Sequence, residues 1–207
     1  PNCTLSFEYS AANSNAALVD RLLGDHPGEI ELAPMTKFPV VRDLCVDRSR
    51  LFQALERVKA WIPADGYYDQ GPGPRIGQKT QEAMYPLSEC MTCGCCLEAC
   101  PQYLRIEIER LEGESDADCE HRKKTAHDRG FIGAAAMSQA ILFNMNPTGK
   151  NIADERLDSL MDEGGVQVCG NSQNCVAVCP KKIPLDTSWG RAGRAARRIL
   201  TRRDSRT

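Results

Sequence analysis

A mainly α-helical fold is predicted by three observations. Apolar residues recur at spacings of three and four in several segments after residue 44. Gly- and Pro-rich loops separate those segments. The only extended signals are short and lie before residue 44.

Residues 1–18 are small and polar and carry no firm pattern. Glu29-Ile30-Glu31-Leu32 alternates and predicts a short strand before Pro34. Phe38-Pro39-Val40-Val41 is held extended by its proline. From Asp47, Leu51, Leu55, Val58 and Ile62 mark an amphipathic helix that Pro63 stops. Residues 64–77 form a Gly- and Pro-dense loop, in which Tyr67 and Tyr68 are read as loop packing. The charged stretch 104–129 reads as a solvated insertion, helical around Ile106–Leu111. Residues 133–144 read as a buried helix. Leu157, Leu160 and Met161 place another helix over 152–162, ended by Gly164-Gly165. A last helix is expected from near Asp186 to about Leu200. No solenoid repeat is present.

The chain has 207 residues, enough for one domain or two small ones with a core that needs no staples. A net charge of −2 gives no footprint of a nucleic-acid binder, so no nucleic-acid partner is expected. No run of about 18 apolar residues exists, which excludes a transmembrane helix. Residues 1–20 show no signal-peptide pattern. The anomaly is 11 cysteines, an odd and clustered set that points to metal ligation rather than disulfides.

Cys90, Cys93, Cys96 and Cys100, followed by Pro101, form C-x2-C-x2-C-x3-C-P. In such runs three thiolates wrap one cluster and the fourth ligates another. The second run, Cys169 to Cys179-Pro180, overlays on the same template. Cys169, Cys175 and Cys179 fall on positions one, three and four, and Ser172 takes position two. Cross-ligation therefore assigns Cys90, Cys93, Cys96 and Cys179 to a [4Fe–4S] cluster. Cys100, Cys169 and Cys175 remain for a second site. A cubane corner without a thiolate tends to lose its iron, and a serine oxygen is a poorer ligand, so [3Fe–4S] is expected there. Two such runs, each ending in Cys-Pro, leave little room for structural zinc.

Cys95 is read as packing, and Cys3 and Cys45 as ordinary residues. Cys119, His121 and His127 are read as part of a solvated surface. Trp61 and Trp189 are read as core or interface aromatics. Gly94 and Gly170 suit close approach of backbone N–H groups to sulfides, or simple turns. The tail from Lys181 to Thr207 holds nine Lys/Arg and two Asp, which suits a solvated helix end or anionic lipid.

At this point the chain resembles the iron–sulfur subunit of succinate dehydrogenase/fumarate reductase, of the Gram-positive, menaquinone-like type. FPVVRDLCVDRSRLF (38–52), VKAWIPADGYYDQGPGPR (58–75), SECMTCGCCLEACP (88–101), FNMNPTG (143–149) and ERLDSLMDEGGVQVCGNSQNCVAVCPKKIPL (155–185) carry the resemblance. It implies a β-grasp [2Fe–2S] ferredoxin domain followed by an α-helical ferredoxin domain with the two clusters derived above. It implies an electron relay between an FAD-containing flavoprotein subunit, where succinate and fumarate are handled, and a membrane-anchor subunit of cytochrome b type, where quinone reacts. This chain itself would hold no substrate-binding catalytic residue. The expected place is the cytoplasmic face of the cell membrane, held peripherally.

Two departures qualify the resemblance. The C-x4-C-x2-C segment for [2Fe–2S] is missing, and Asn15 stands where its fourth cysteine is expected. Pro1 is therefore read as a break, residues 1–43 as a remnant of the β-grasp domain, and residues 44–207 as the helical domain. The [2Fe–2S] cluster is expected only in an intact parent. Arg105, approximately, and Gly170 stand where ubiquinone-type members carry an aromatic residue and a histidine, which favours menaquinone. Alternatives are a subunit of a heterodisulfide- or glycolate-oxidase-type oxidoreductase, or a non-redox module that the clusters merely stabilise. Ser172 and FPVVRDL argue against the former.

Overall fold

The computed structural model describes residues 33–63, 73–187, 190–191 and 193–194. The strand expected at 29–32, Tyr67 and Tyr68, Cys3, Asn15, Trp189 and the helix beyond 194 lie outside them. The described residues are mainly α, with one antiparallel pair of strands, β1 (Val40–Arg42) and β2 (Cys45–Val46). The expected domain boundary falls in the turn between these strands, where Asp43 adopts a left-handed φ of 53°.

The helix predicted from Asp47 is α1 (Ser49–Arg57), and Asp47 Oδ1 accepts from the Ser49 N–H at its start. It ends earlier than Pro63. Lys59 takes a left-handed φ of 49°, the Ala60 N–H reaches Leu55 O and the Lys59 N–H reaches Glu56 O. This is a Schellman closure with lysine in the place glycine usually holds. Trp61 follows in the loop and is 44% exposed, so it is not a core residue. The next helix, α2 (Gln78–Ser88), has no forecast in the sequence pattern. It buries only Met84 and Leu87 and carries Pro86 in its last turn, and both features weaken the helical signal.

The insertion is organised differently from the expectation. Residues 103–111 are not helical, and the helix is α4 (Asp116–Arg129), after the short α3 (Cys95–Glu98). Ser115 caps α4, its hydroxyl accepting from the Asp118 N–H, while Asp116 and Asp118 meet the positive end of the helix dipole. Residues 106–111 contain no such cap, and four of the six are exposed. Arg122 returns from α4 to Glu114 and to the Glu109 carbonyl, which fixes the irregular stretch.

The expected buried helix is α5 (Gly133–Met145), and it is the centre of the core. It packs against α1, α2, α3 and α6 (Ala153–Met161). Gly133 begins α5 at a φ of 83°, and a Cβ there would collide with Leu97. After α6 the chain turns at Gly164, where φ is 75°. The Gly164 carbonyl accepts from the Ile132 N–H, and a side chain there would meet the Gly130 carbonyl. The predicted Gly-Gly stop is thus also a docking point for the α4–α5 junction. The last complete helix described is α7 (Asn174–Ala177). No helix is long and apolar enough to cross a membrane among the described residues.

The expected surface trio separates. His121 is exposed and Cys119 half-buried, but His127 is 7% exposed, with its Nδ1 paired to Gln53 Oε1 at 2.6 Å. Desolvation, then Arg50 and Lys123, lower the His127 pKa against the opposing pull of Asp47 and Asp128. The folded value lies below the unfolded one, so between the two the unfolded chain binds more protons. Stability is therefore expected to fall as pH drops below about 6.5. His127→Gln should flatten that slope in urea unfolding at pH 7.5 and 5.5, and an unchanged slope would remove His127 as its source.

Candidate functional site

The two cysteine runs fold into the same backbone path. Counted from Cys90, the second and fourth following residues, Thr92 and Gly94, have φ of 51° and 89°, and α3 begins at the fifth. Counted from Cys169, the matching residues Asn171 and Gln173 have φ of 52° and 60°, and α7 begins at the fifth. Three of these four left-handed positions are not glycine, an uncommon choice that the sequence alone does not reveal. Alternating left-handed residues turn successive N–H groups inward, a concavity common to anion and Fe–S sites. Ser172 lies in the second run at the place Cys93 holds in the first.

The helices α3 and α7 then pack on each other, and the Asn174 side chain donates to the Ala99 carbonyl at 3.1 Å. This contact swaps the run ends. One cavity is lined by Cys90, Cys93 and Cys96 together with Cys179 from the other run. A second is lined by Cys169, Ser172 and Cys175 together with Cys100. Cys95 is 1% exposed and belongs to the hydrophobic core, while Cys45 is exposed on β2. Among the described residues, no three His, Cys, Asp or Glu side chains converge on a point suited to a single metal ion. The thiols instead surround the two cavities.

Residues that carried no signal in the sequence complete the walls. Neighbouring positions on α5 divide between the sites, Ala134 facing the three-cysteine cavity and Ala135 the four-cysteine one. Leu185 lines both. Gly94 is a turn glycine with a left-handed φ of 89°, one of the two readings given to it, while Gly170 does not use such a φ. A Cβ on Gly94 would sit 3.4 Å from Met35 and Phe38, and one on Gly170 would sit 2.7 Å from Gln102 Nε2. The first is ordinary contact, so Gly94 is required by its φ rather than by space, whereas the smallness of Gly170 admits the Gln102 side chain.

The 35–38 segment clamps the first run beside Gly94. The Glu98 carboxylate accepts from the Thr36 N–H and hydroxyl and from the Lys37 N–H, and the Lys37 ammonium donates to the Cys100 carbonyl. Met35 and Phe38 are buried, and Phe38 lies 5.8 Å from Tyr103 between ring centroids.

The electrostatics vary within each site. Hydrogen bonds, chiefly to the Cys95 side chain, pull the Cys93 thiol down to about 6. Burial pushes Cys90 and Cys96 up, reinforced by the neighbouring cysteines. Burial, Cys100 and Cys169 raise Cys175 to about 11. Crowded, desolvated thiols resist ionisation until a cationic centre holds them. The Ile183 N–H already points at Cys179 Sγ, at 3.4 Å.

No family model matches the chain. It is similar to the succinate dehydrogenase iron–sulfur subunit of Bacillus subtilis, with 50% identity over 186 residues, covering 90% of this chain and 63% of the relative. It is also similar to the fumarate reductase iron–sulfur subunit of Wolinella succinogenes, with 27% identity across 77% of this chain and 59% of the relative. The fumarate reductase iron–sulfur subunit of Mycobacterium tuberculosis is 30% identical across 76% of this chain and 55% of its own length. The chain thus spans under two thirds of each.

Proposed function

We propose that this chain, a homologue of succinate dehydrogenase and fumarate reductase iron–sulfur subunits, relays electrons in a succinate:quinone oxidoreductase. The observation that carries the reading is the division of seven cysteines into a set of four and a set of three, each drawing on both runs. The donor chemistry fits, since both sets are thiol-rich and lie in loops of alternating left-handed residues; apolar side chains line much of the four-cysteine cavity, while Gln102, Asn171, Gln173 and Asp186 join the wall of the three-cysteine one.

Cys90, Cys93, Cys96 and Cys179 would hold [4Fe–4S], and Cys100, Cys169 and Cys175 would hold [3Fe–4S]. Such groups supply one-electron transfer at potentials set by burial and hydrogen bonding. The chain's own residues do the rest. Ser172 withholds the fourth thiolate from the second site. Ala134, Ala135, Ile183 and Leu185 exclude water, and the Ile183 N–H eases the negative charge on Cys179. Leu185, a wall of both cavities, makes the two sites neighbours.

On this reading residues 44–207 are an α-helical ferredoxin domain and residues 1–43 the remnant of a β-grasp domain, whose Met35 and Phe38 pack into the helical core. The partners are an FAD-containing flavoprotein, which handles succinate, and a cytochrome b-type membrane anchor, which meets menaquinone on the cytoplasmic side. In the complex purified from cells producing this chain, succinate should abolish the oxidised three-iron paramagnetic resonance signal. A signal that persists while the flavin is reduced would contradict the relay.

A further inference from the structure

Gln102 is two residues beyond Cys100, past the turn at Pro101. Its side chain lines the three-cysteine cavity, with Oε1 3.8 Å from Cys100 Sγ. The other end of the carboxamide faces Gly170, where a Cβ would come within 2.7 Å of Nε2 and 3.2 Å of Cδ. The amide is therefore wedged between a thiol of one cysteine run and a missing side chain of the other. With Cys100 protonated, the thiol donates to Oε1. A ligating thiolate has no proton to give and can only accept. A half-turn of the carboxamide, which exchanges groups of nearly equal size, then points N–H at sulfur.

We propose that Gln102 is the positioning residue of the three-cysteine site. Its carboxamide N–H bonds the Cys100 thiolate and raises the potential of the cluster held there, and Gly170 is small to let it do so. The inference rests on the cluster reading above and goes beyond it, because it assigns the control of one cluster to a residue outside the ligand set. The physical basis is that a donor to a cluster sulfur favours the more negative, reduced form. Gly170 does not use a left-handed φ, and the atom its Cβ would strike is the tip of a flexible side chain. Alanine there displaces the amide without straining the backbone.

The test is a redox titration of the whole complex, following both clusters by paramagnetic resonance, for wild type, Gln102→Leu, Gln102→Glu and Gly170→Ala. All three variants should lower the three-iron potential and leave the four-iron potential in place. At the wild-type midpoint, the ratio of reduced to oxidised three-iron cluster should fall about three- to tenfold, the worth of one hydrogen bond. Gln102→Leu separates a donor from a filler, since it keeps most of the bulk and loses the N–H without adding charge, whereas Gln102→Glu also brings a carboxylate that lowers the potential by itself. A three-iron signal with an unmoved potential in Gln102→Leu would overturn the proposal, as would an equal shift of both clusters. A wild-type complex without any three-iron signal would instead overturn the cluster reading, and this proposal with it.

Discussion

Arg156→Ala is expected to destabilise the chain by about 3–5 kcal/mol, a large share of the ~5–15 kcal/mol that holds a typical domain. Arg156 is fully buried in α6. Its Nε donates to Lys59 O at 2.8 Å and Nη2 to Trp61 O at 2.6 Å. Nη1 donates to Gly149 O at 2.6 Å and to Asn144 Oδ1 at 3.0 Å. One guanidinium thus ties the loop after α1 to the end of α5 and to the 3₁₀ turn before α6. Removing it leaves four acceptors short of their donor and opens a cavity. Arg156→Lys should recover only part of the loss, because an ammonium cannot fork to both sides. Urea unfolding of the three proteins checks this, and a loss under about 1 kcal/mol for the alanine variant would show that water replaces the side chain.

Leucine at Ala134 and leucine at Ala135 are expected to have opposite outcomes although the positions are adjacent. Ala134 is 8% exposed and faces the three-cysteine cavity; Ala135 is 3% exposed and faces the four-cysteine cavity. A leucine side chain projects into space that a cluster would need, and the packed surroundings of α5 give it nowhere else to go. Ala134→Leu should abolish the three-iron signal and spare the four-iron one, and Ala135→Leu should do the reverse. Iron content should fall by roughly three and roughly four atoms per chain respectively. Equal loss of both signals in each variant would mean that the two cavities are not separate sites.

The cysteine positions are legible in the sequence because spacing along a tight loop is a local property. The same holds for α5, whose run of Ala, Ile, Leu and Met has no other place than a core, and for the Gly164-Gly165 stop after α6. What escapes is set by partners far along the chain. Arg156 reads as a charged helix residue until Lys59 and Trp61, 97 and 95 positions away, offer it carbonyls. His127 reads as surface because its own helix is polar, and Gln53 on α1 is what covers it. Apolar periodicity runs α1 on to Ile62, since it cannot see that Lys59 accepts a left-handed turn. It also misses α2, where Pro86 in the last turn breaks the pattern but not the helix. In the insertion, the cap at Ser115 decides where the helix starts, while the apolar residues at 106–111 suggest a place without one. At the candidate site, the Ala134–Ala135 division and the wedge of Gln102 against Gly170 exist only once α5 and both runs are packed.

The central claim is that the seven cysteines form one four-thiol and one three-thiol site for iron–sulfur clusters. Iron, zinc and acid-labile sulfide analysis of the anaerobically purified protein, read beside its paramagnetic resonance spectrum, tests it most directly. The account predicts about seven irons per chain, a three-iron signal in the oxidised protein and a four-iron signal on reduction. Zinc in place of iron, or two four-iron signals with no three-iron signal in the oxidised protein, would contradict it.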